Sequence, residues 1–195
     1  IYRTMVNPKN YFSQPTKGFT LIELLVVIAI LAVLMSVVVI TINPAEMLKK
    51  SRDSRRVSDL DALRTALNLY LSEDKDFTSL DNTKAYLSLS GSPCTVASYG
   101  GKTATQCVAD PRKVDGNGWI PLNFTSLSIR SPLSSLPVDP TNSNPYFYAF
   151  TVSSTKTMYE LNAKLEANSN SGLMSSDGGN SATVYEIGSD LTLFN

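Results

Sequence analysis

Apolar positions divide the chain into a continuous apolar run, an amphipathic stretch and a series of shorter runs. The continuous run covers residues 24 to 42, which carry no charge and include only Ser36 and Thr41 as polar residues. As a helix it spans roughly 28 Å, close to the ~30 Å hydrocarbon core of a bilayer. Because the backbone must satisfy its own hydrogen bonds in lipid, we expect a membrane-spanning helix here.

A second helix is predicted over residues 45 to 73. An interruption is expected before it at Asn43-Pro44, because proline disfavours helix in the residue that precedes it. Apolar residues recur at spacings of three and four, which predicts a buried stripe of Val57, Leu60, Leu63, Leu67 and Tyr70. The charged residues fall largely elsewhere, and we expect them to form a solvated or subunit-facing surface that includes Asp53, Arg56, Asp59 and Arg64.

The remaining chain predicts a small antiparallel sheet. A short helix is predicted over residues 84 to 89, and an exposed loop over the Ser/Gly/Asn-rich residues 168 to 180. The strand candidates are residues 120–124, 146–152, 158–165, 183–187 and 191–194, with a tight turn between the last two. The predicted fold class is therefore α+β: a long N-terminal helix, half membrane-spanning and half amphipathic, packed on this sheet.

Composition argues against most catalytic chemistry. The 195 residues include 17 basic and 17 acidic residues and no histidine, so the commonest general base and metal ligand are missing. Nucleotide-binding and hydrolase motifs are absent as well. We expect no enzyme, no nucleic-acid partner and no resident cofactor. The aromatic residues from Tyr146 to Phe150 are more typical of a sheet core than of a platform that stacks DNA bases.

Two cysteines, Cys94 and Cys107, lie in a stretch rich in Gly, Ser and Thr. In an exported domain such a pair favours a disulfide over two free thiols. The bond would close a short loop and stabilise the fold by ~3 kcal/mol in the chain-entropy model. Zinc is not expected, because two sulfurs without histidine do not complete a tetrahedral site.

Glu23 is the one acid near the start of the apolar run. A secretory signal peptide needs small residues at a cleavage site after the run, and residues 38 to 50 contain no such pattern. A plain membrane anchor passes that test but leaves Glu23 unexplained. A charge at membrane depth costs ~3 kcal/mol and is functional by default, although an acid at the helix end can reach the interface.

The segment "GFTLIE", from Gly18 to Glu23, resembles the prepilin cleavage motif of type IV pilins and type II secretion pseudopilins. The resemblance covers residues 17 to 40. It implies that a prepilin peptidase cuts between Gly18 and Phe19 and that the new amine of Phe19 is N-methylated. It also implies that Glu23 pairs with the Phe19 amine of a neighbouring subunit. Pairing within one chain is the alternative.

A weaker resemblance to major pseudopilins lies at Asp139-Pro140 and at Pro145-Tyr146-Phe147-Tyr148, although their tryptophan-glycine pair is absent here. Related major pseudopilins bind calcium in a C-terminal loop. The resemblance therefore makes calcium the one cofactor to consider, with Asp177 or Asp190 as an oxygen ligand. A solvated loop without metal is the alternative.

The pilin-like organisation implied is a leader at residues 1–18, a transmembrane and assembly helix at 19–43, an amphipathic helix at 44–75 and an exported α+β head at 76–195. The chain begins at Ile1, so Met5 is a candidate translation start. We expect a single-pass protein of the inner (cytoplasmic) membrane with its head outside the cytoplasm, or an extracellular filament built from it. The basic residues that follow the run favour the opposite orientation by the positive-inside rule: Lys49, Lys50, Arg52, Arg55 and Arg56.

Three functions follow from these patterns. The first is a filament subunit of a type IV pilus or a type II secretion pseudopilus. Its implied partners are other copies of the chain, prepilin peptidase, an inner-membrane assembly platform and membrane lipid. The second is a membrane-anchored binding module or adhesin that uses the same helix. The third is a secreted enzyme behind a signal peptide, which would begin beyond residue 42.

Overall fold

The computed structural model describes residues 18–91 and 93–195, with backbone only for residues 40–42. The predicted leader, apart from Gly18, lies outside the described residues. The chain forms two compact units, one ending at Asn43 and the other covering Pro44–Asn195. The first unit contributes helix α1, and the second contributes all the other elements.

Helix α1 is Leu21–Ile42, as the apolar run predicts. The hydroxyl of Ser36 donates to the carbonyl of Val33 at 2.7 Å, so this polar side chain is satisfied inside its own helix. The helix ends at Asn43, which has a left-handed backbone with φ of 46°. Helix α2 begins at Pro44, a residue that needs no amide partner in a first turn. The predicted interruption is confirmed.

Helix α2, Pro44–Ser72, contributes a buried stripe to the core of the second unit. Leu60, Leu63 and Leu67 are fully buried, as predicted, while Val57 and Tyr70 are half-buried at the edges of the stripe. Burial of each leucine stabilises the fold by ~1.5–3 kcal/mol. The same core contains aromatic side chains in edge-to-face contact, with the ring centres of Phe77 and Phe150 6.0 Å apart.

Five strands form one sheet in the order β2-β1-β3-β4-β5. Strands β1 and β2 are parallel, and the other neighbouring pairs are antiparallel. The predicted α+β class is therefore confirmed, with a sheet that is mostly rather than wholly antiparallel. The strands are β1 (Lys84–Ser90), β2 (Ala104–Val108), β3 (Tyr148–Val152), β4 (Tyr159–Ala163) and β5 (Tyr185–Gly188).

The helix predicted over residues 84–89 is wrong, because these residues form β1. Tyr86 packs in the core shared with α2, whereas Leu87 packs on the opposite face of the sheet. Both faces of β1 are covered, so its sequence lacks the one-sided alternation that marks a strand. Strand β2 was not predicted at all. The predictions for β3, β4 and β5 are confirmed within a few residues.

Two other strand predictions are wrong. Residues 120–124 form no strand and lead into a short 3-10 helix, Phe124–Ser126. Residues 191–194 form no strand either, so the predicted hairpin after β5 does not exist. Side chains close a turn there instead, since Asp190 accepts hydrogen bonds from Thr192. The predicted loop at 168–180 is largely exposed but contains a short helix, α3 (Ser171–Ser176).

The sheet face opposite α2, called the second face here, is covered by two irregular segments. A disulfide joins Cys94 to Cys107, with their Cα atoms 5.1 Å apart, and fixes one loop against β2. The C-terminal segment, residues 191–195, inserts Phe194 beside this loop. The ring of Tyr99 lies 5.2 Å from those of both Phe147 and Phe194. Phe147 is therefore core, and so are Tyr148 and Phe150 on the α2 side.

The expectation that the charged residues of α2 are all solvated or subunit-facing is wrong. Asp53 and Arg56 are only 1% and 0% exposed. Asp59 is half-buried and accepts a hydrogen bond from the hydroxyl of Tyr148 at 2.8 Å. Arg64 alone among the four residues is exposed. Buried charges require partners, and the fold supplies them from outside the helix.

The guanidinium of Arg56 lies at the centre of a buried ion cluster. Its Nε and Nη2 donate to the two carboxylate oxygens of Asp139 at 2.6 and 2.9 Å. Its Nη1 donates to Asp53 at 2.9 Å, and its Nη2 lies 2.6 Å from a carboxylate oxygen of Glu166. The ring of Tyr146 stacks near the guanidinium, with its centre 5.0 Å away.

The carboxylates of this cluster also bind backbone. Asp53 accepts from the amides of Glu166 and Ala167 at 2.8 and 2.9 Å. Arg52 donates to both oxygens of Glu166, at 2.9 and 2.5 Å. The hydrogen bonds from Arg52, and then those from Arg56, lower the pKa of Glu166 to about 2. The cluster thereby joins α2 to the chain before β3 and to the chain after β4.

We predict that Arg56→Ala lowers the free energy of unfolding by about 3–5 kcal/mol, because the carboxylates that it pairs would stay buried without their cation. The measurement is chemical unfolding of the full-length protein in detergent micelles, followed by the fluorescence of the single, buried Trp119. The matched control is Arg64→Ala on the same helix, whose exposed pair with Asp61 contributes about 0–1 kcal/mol. Equal losses in the two variants would contradict the prediction.

We also predict an acid-side loss of stability that depends on Glu166. Its folded pKa is depressed, so its contribution is present above the unfolded value of 4.5 and is lost as the pH falls toward about 2. Unfolding free energies of the wild type and of Glu166→Gln, compared from about pH 6 downward, should converge below about pH 4.5. A difference that stays constant across this range would show that the carboxylate charge is not what stabilises.

Candidate processing and assembly segment

The bond between Gly18 and Phe19 lies just before α1 and outside regular secondary structure. The side chain of Phe19 is 89% exposed. No atom lies within 4 Å of the position that a Cβ on Gly18 would occupy. Among the described residues nothing shields this bond, so its geometry is compatible with entry into a peptidase.

Thr20 and Glu23 form a reciprocal capping box at the start of α1. The hydroxyl oxygen of Thr20 accepts from the amide of Glu23 at 3.3 Å. In return, the amide and the hydroxyl of Thr20 donate to Oε2 of Glu23 at 2.9 and 2.8 Å. The box satisfies amides that the first turn leaves without partners, and it places a negative charge at the positive end of the helix dipole.

This capping role of Glu23 was missed from the sequence, although a signal for it exists. Thr20-x-x-Glu23 before an apolar run is the capping-box pattern. Both bonds from Thr20 end on Oε2, and in the described part of the chain Oε1 of Glu23 accepts no hydrogen bond. The carboxylate can therefore keep the cap and still accept a donor from elsewhere.

The described apolar side chains of α1 are exposed on every side of the helix. The large apolar side chains from Leu21 to Val39 are between 48% and 82% exposed. Leu21–Val39 is the one segment, within the described residues, that is long and apolar enough to cross a membrane. A helix that is apolar all round is stable only when lipid or other protein surrounds it.

The two acids considered for calcium close local turns. Asp177 accepts from the amides of Gly179 and Glu186, at 3.0 and 2.8 Å. Asp190 accepts from the amide and hydroxyl of Thr192. No group of three or more His, Cys, Asp and Glu side chains is placed to hold a metal in the ranges that the structure describes. Calcium in this region stays a prediction without an assigned ligand set.

A family model described as the prokaryotic N-terminal methylation motif matches residues 14–39. The match includes Gly18, Phe19, the capping box and most of α1. Neither the curated proteins nor the solved structures contain a match to this chain. The motif indicates a type IV pilin-like precursor that prepilin peptidase processes. Together with α1 it indicates a single-pass, membrane-anchored protein. The pilin-type proteins that carry this motif are structural rather than enzymatic.

We predict that coexpression with a prepilin peptidase yields a chain that begins at N-methylated Phe19. This chain would have 177 residues, the 195 of the sequence minus the 18 of the leader. Mass spectrometry of the intact protein and of its N-terminal peptide measures both changes. Gly18→Val should retain the leader, because a branched side chain would lie directly before the scissile bond, whereas Gly172→Val, on exposed α3, should be processed normally. A new N-terminus beyond residue 42 would indicate signal peptidase instead.

Proposed function

We propose that the chain is a structural subunit of a type IV pilus-like or type II secretion pseudopilus filament. The observation that carries this proposal is the exposed apolar helix α1, most of which lies within the methylation motif. Cleavage before α1, at Gly18-Phe19, would leave the whole apolar surface in the mature protein. Such a surface can lie in lipid before assembly and against other copies of α1 afterwards.

Filament growth would use a contact between two different surfaces of the same subunit. A contact of this kind does not close on itself and therefore generates a helical array. Copies of α1 would pack side by side, with Pro44–Asn195 forming the polar outer layer. By resemblance to pilin systems, an inner-membrane assembly platform and a separate cytoplasmic ATPase would extract the subunits from the membrane.

Glu23 would set the position of each subunit along the array. Processing creates a positive amine on Phe19, and Oε1 of Glu23 is available to a donor while Oε2 keeps the cap. A carboxylate among packed apolar helices is costly unless a cation neutralises it. Packing would therefore favour the register in which the Phe19 amine of one copy meets Glu23 of another.

A membrane-anchored binding module or adhesin is the second candidate. The capping box favours it, because Glu23 already has a use within its own chain and needs no neighbouring subunit. In that case α1 would serve only as an anchor, and the charge of Glu23 would have no effect beyond the helix start.

The substitution Glu23→Gln separates the two candidates, because glutamine also completes a capping box but carries no charge. For a filament subunit we expect normal cleavage at Phe19 and loss of assembly by at least about tenfold. Glutamine would leave the Phe19 amine buried without its counter-charge, which costs about 3–5 kcal/mol, whereas a tenfold change needs only ~1.4 kcal/mol. Assembly is measured as sheared or sedimentable polymer relative to the membrane-bound subunit. Asp61→Asn, on the exposed side of α2, is the matched control. Unchanged polymer in Glu23→Gln would overturn the register role.

A further inference from the structure

Two acids are buried next to each other on the second face of the sheet. Glu160 on β4 and Glu186 on β5 are 0% and 2% exposed. Glu186 on β5 pairs with Asn162 on β4. Glu160 lies two residues before Asn162 on β4, so its side chain is on the same face of the sheet, diagonal to Glu186. Neighbouring residues of β4, such as Leu161, point to the other face and pack in the core with α2. Neither the apolar core nor the processing segment accounts for the burial of these polar side chains.

Each acid holds part of the chain that covers this face. Oε2 of Glu160 accepts from the amides of Leu193 and Phe194 at 2.7 and 3.0 Å, which fixes the C-terminal segment. Oε2 of Glu186 accepts from the amide of Ser181 at 2.8 Å, which fixes the loop at residues 177–181. A methyl group added at Gly179 would collide with the carboxyl of Glu186, so this loop lies directly on the acid.

The remaining oxygens of the pair receive no hydrogen bond from the residues that the structure describes. Oε1 of Glu160, Oε1 of Glu186 and Oδ1 of Asn162 are buried and accept no hydrogen bond in the described structure. The two carboxyl groups lie within hydrogen-bonding reach of each other. Two carboxylates cannot both be charged at this separation without a large penalty. One proton on the pair turns an acceptor into a donor, so that one carboxyl can hydrogen-bond to the other.

We propose that Glu160 and Glu186 share one proton and form a latch that holds residues 191–195 and 177–181 on the second face. With the proton present, the pair carries a single negative charge and both covering segments keep their amide bonds. Loss of the proton places two negative charges side by side under apolar side chains. The C-terminal segment and the loop then open, because water must reach the second charge. The latch lies wholly within Pro44–Asn195 and does not depend on filament assembly.

The charged groups around the pair do not replace this proton. Lys102 is the near cation, but its Nζ donates to the carbonyl of Asn82 at 3.0 Å. Lys156 donates to the carbonyl of Leu80. Asp177 accepts from the amide of Glu186, so it adds negative charge. Neither lysine forms a salt bridge with the pair among the described residues.

Burial and the adjacent acid give this site a titration near neutral pH. Burial, and then the carboxyl of Glu186, raise the pKa of Glu160 to about 7, and burial raises the pKa of Tyr99 to about 12, so Tyr99 stays neutral. A raised carboxyl pKa means that the folded state holds the proton more tightly than the unfolded one. The stabilisation is therefore full below the unfolded pKa of 4.5 and is lost as the pH rises through about 7.

The test is a pH titration of the full-length protein in detergent micelles, from about pH 5 to about pH 9, with glutamate carboxyl carbons observed by NMR. We expect one glutamate to titrate near neutral pH. Hydrogen exchange at Ser181, Leu193 and Phe194, corrected for intrinsic rates, should accelerate roughly tenfold with the same midpoint. Carboxyls that both ionise near their ordinary value would overturn the proposal, and so would amides that keep their protection through the transition.

Variants assign the effect to the pair. In Glu186→Gln the side-chain amide can donate to Oε1 of Glu160, so the neutral-pH titration should disappear and exchange at Leu193 should no longer depend on it. Glu160→Gln removes the other carboxyl and should abolish the neutral-pH titration as well. It is the variant to use if Glu186→Gln does not fold. Glu73→Gln is the matched control, since Glu73 also accepts a backbone amide, from Ser128, but faces no second acid. A midpoint that survives in both pair variants would overturn the latch. So would carboxyl shifts caused at neutral pH by calcium or magnesium chloride, which would show a metal ion in the place of the proton.

Discussion

The second unit depends on the burial of one guanidinium. Arg56 is closed off from water, so every donor that it turns inward must find an acceptor in the protein. Asp139 precedes β3 and Glu166 follows β4, so these two acceptors bracket the hairpin that forms the middle of the sheet. Fixing both ends of the hairpin to one side chain of α2 sets the helix along the sheet. If only leucine side chains joined them, α2 could shift along the sheet and still pack. The guanidinium of Arg56 prevents such a shift, because it must stay within reach of two fixed carboxylates.

Helix α1 differs from the second unit in that its apolar surface is exposed. The second unit covers its own apolar surface with a helix on one face of the sheet and with the disulfide loop and C-terminal segment on the other. The described part of α1 has no such cover, and its one internal polar group is satisfied by the helix itself. A domain that covers its own core and an exposed apolar helix thus occur in one chain. Lipid or other protein must surround such a helix, and the proposed assembly would supply that cover, which is why assembly is a more natural proposal than catalysis.

Local pattern was enough to predict several elements. Helix α1 follows from its continuous apolar run, the stripe of Leu60, Leu63 and Leu67 from helical spacing, and strands β3 to β5 from short apolar and aromatic runs. Strand β1 was predicted as a helix because both of its faces are covered, which removes the alternation. The ion cluster was missed for a different reason. Arginine and aspartate on a helix are usually solvated. The partner Asp139 lies 83 positions from Arg56 along the chain, too far apart for a local sequence pattern to indicate the contact.

Glu166 and Glu160 show how neighbouring side chains set the pKa of a glutamate. Two arginines surround Glu166 and keep it charged into strong acid, whereas Glu160 faces another acid and holds a proton up to neutral pH. Deprotonation strengthens the attachment to α2 in the first case and weakens the cover of the second face in the other. The two effects have opposite signs and separate pH ranges, so the second unit should be most stable in weak acid. There Glu166 is charged and Glu160 still holds its proton, so both groups contribute their stabilisation. This pH dependence requires no histidine, a residue that the chain lacks, because the paired carboxyls supply the titration near neutral pH.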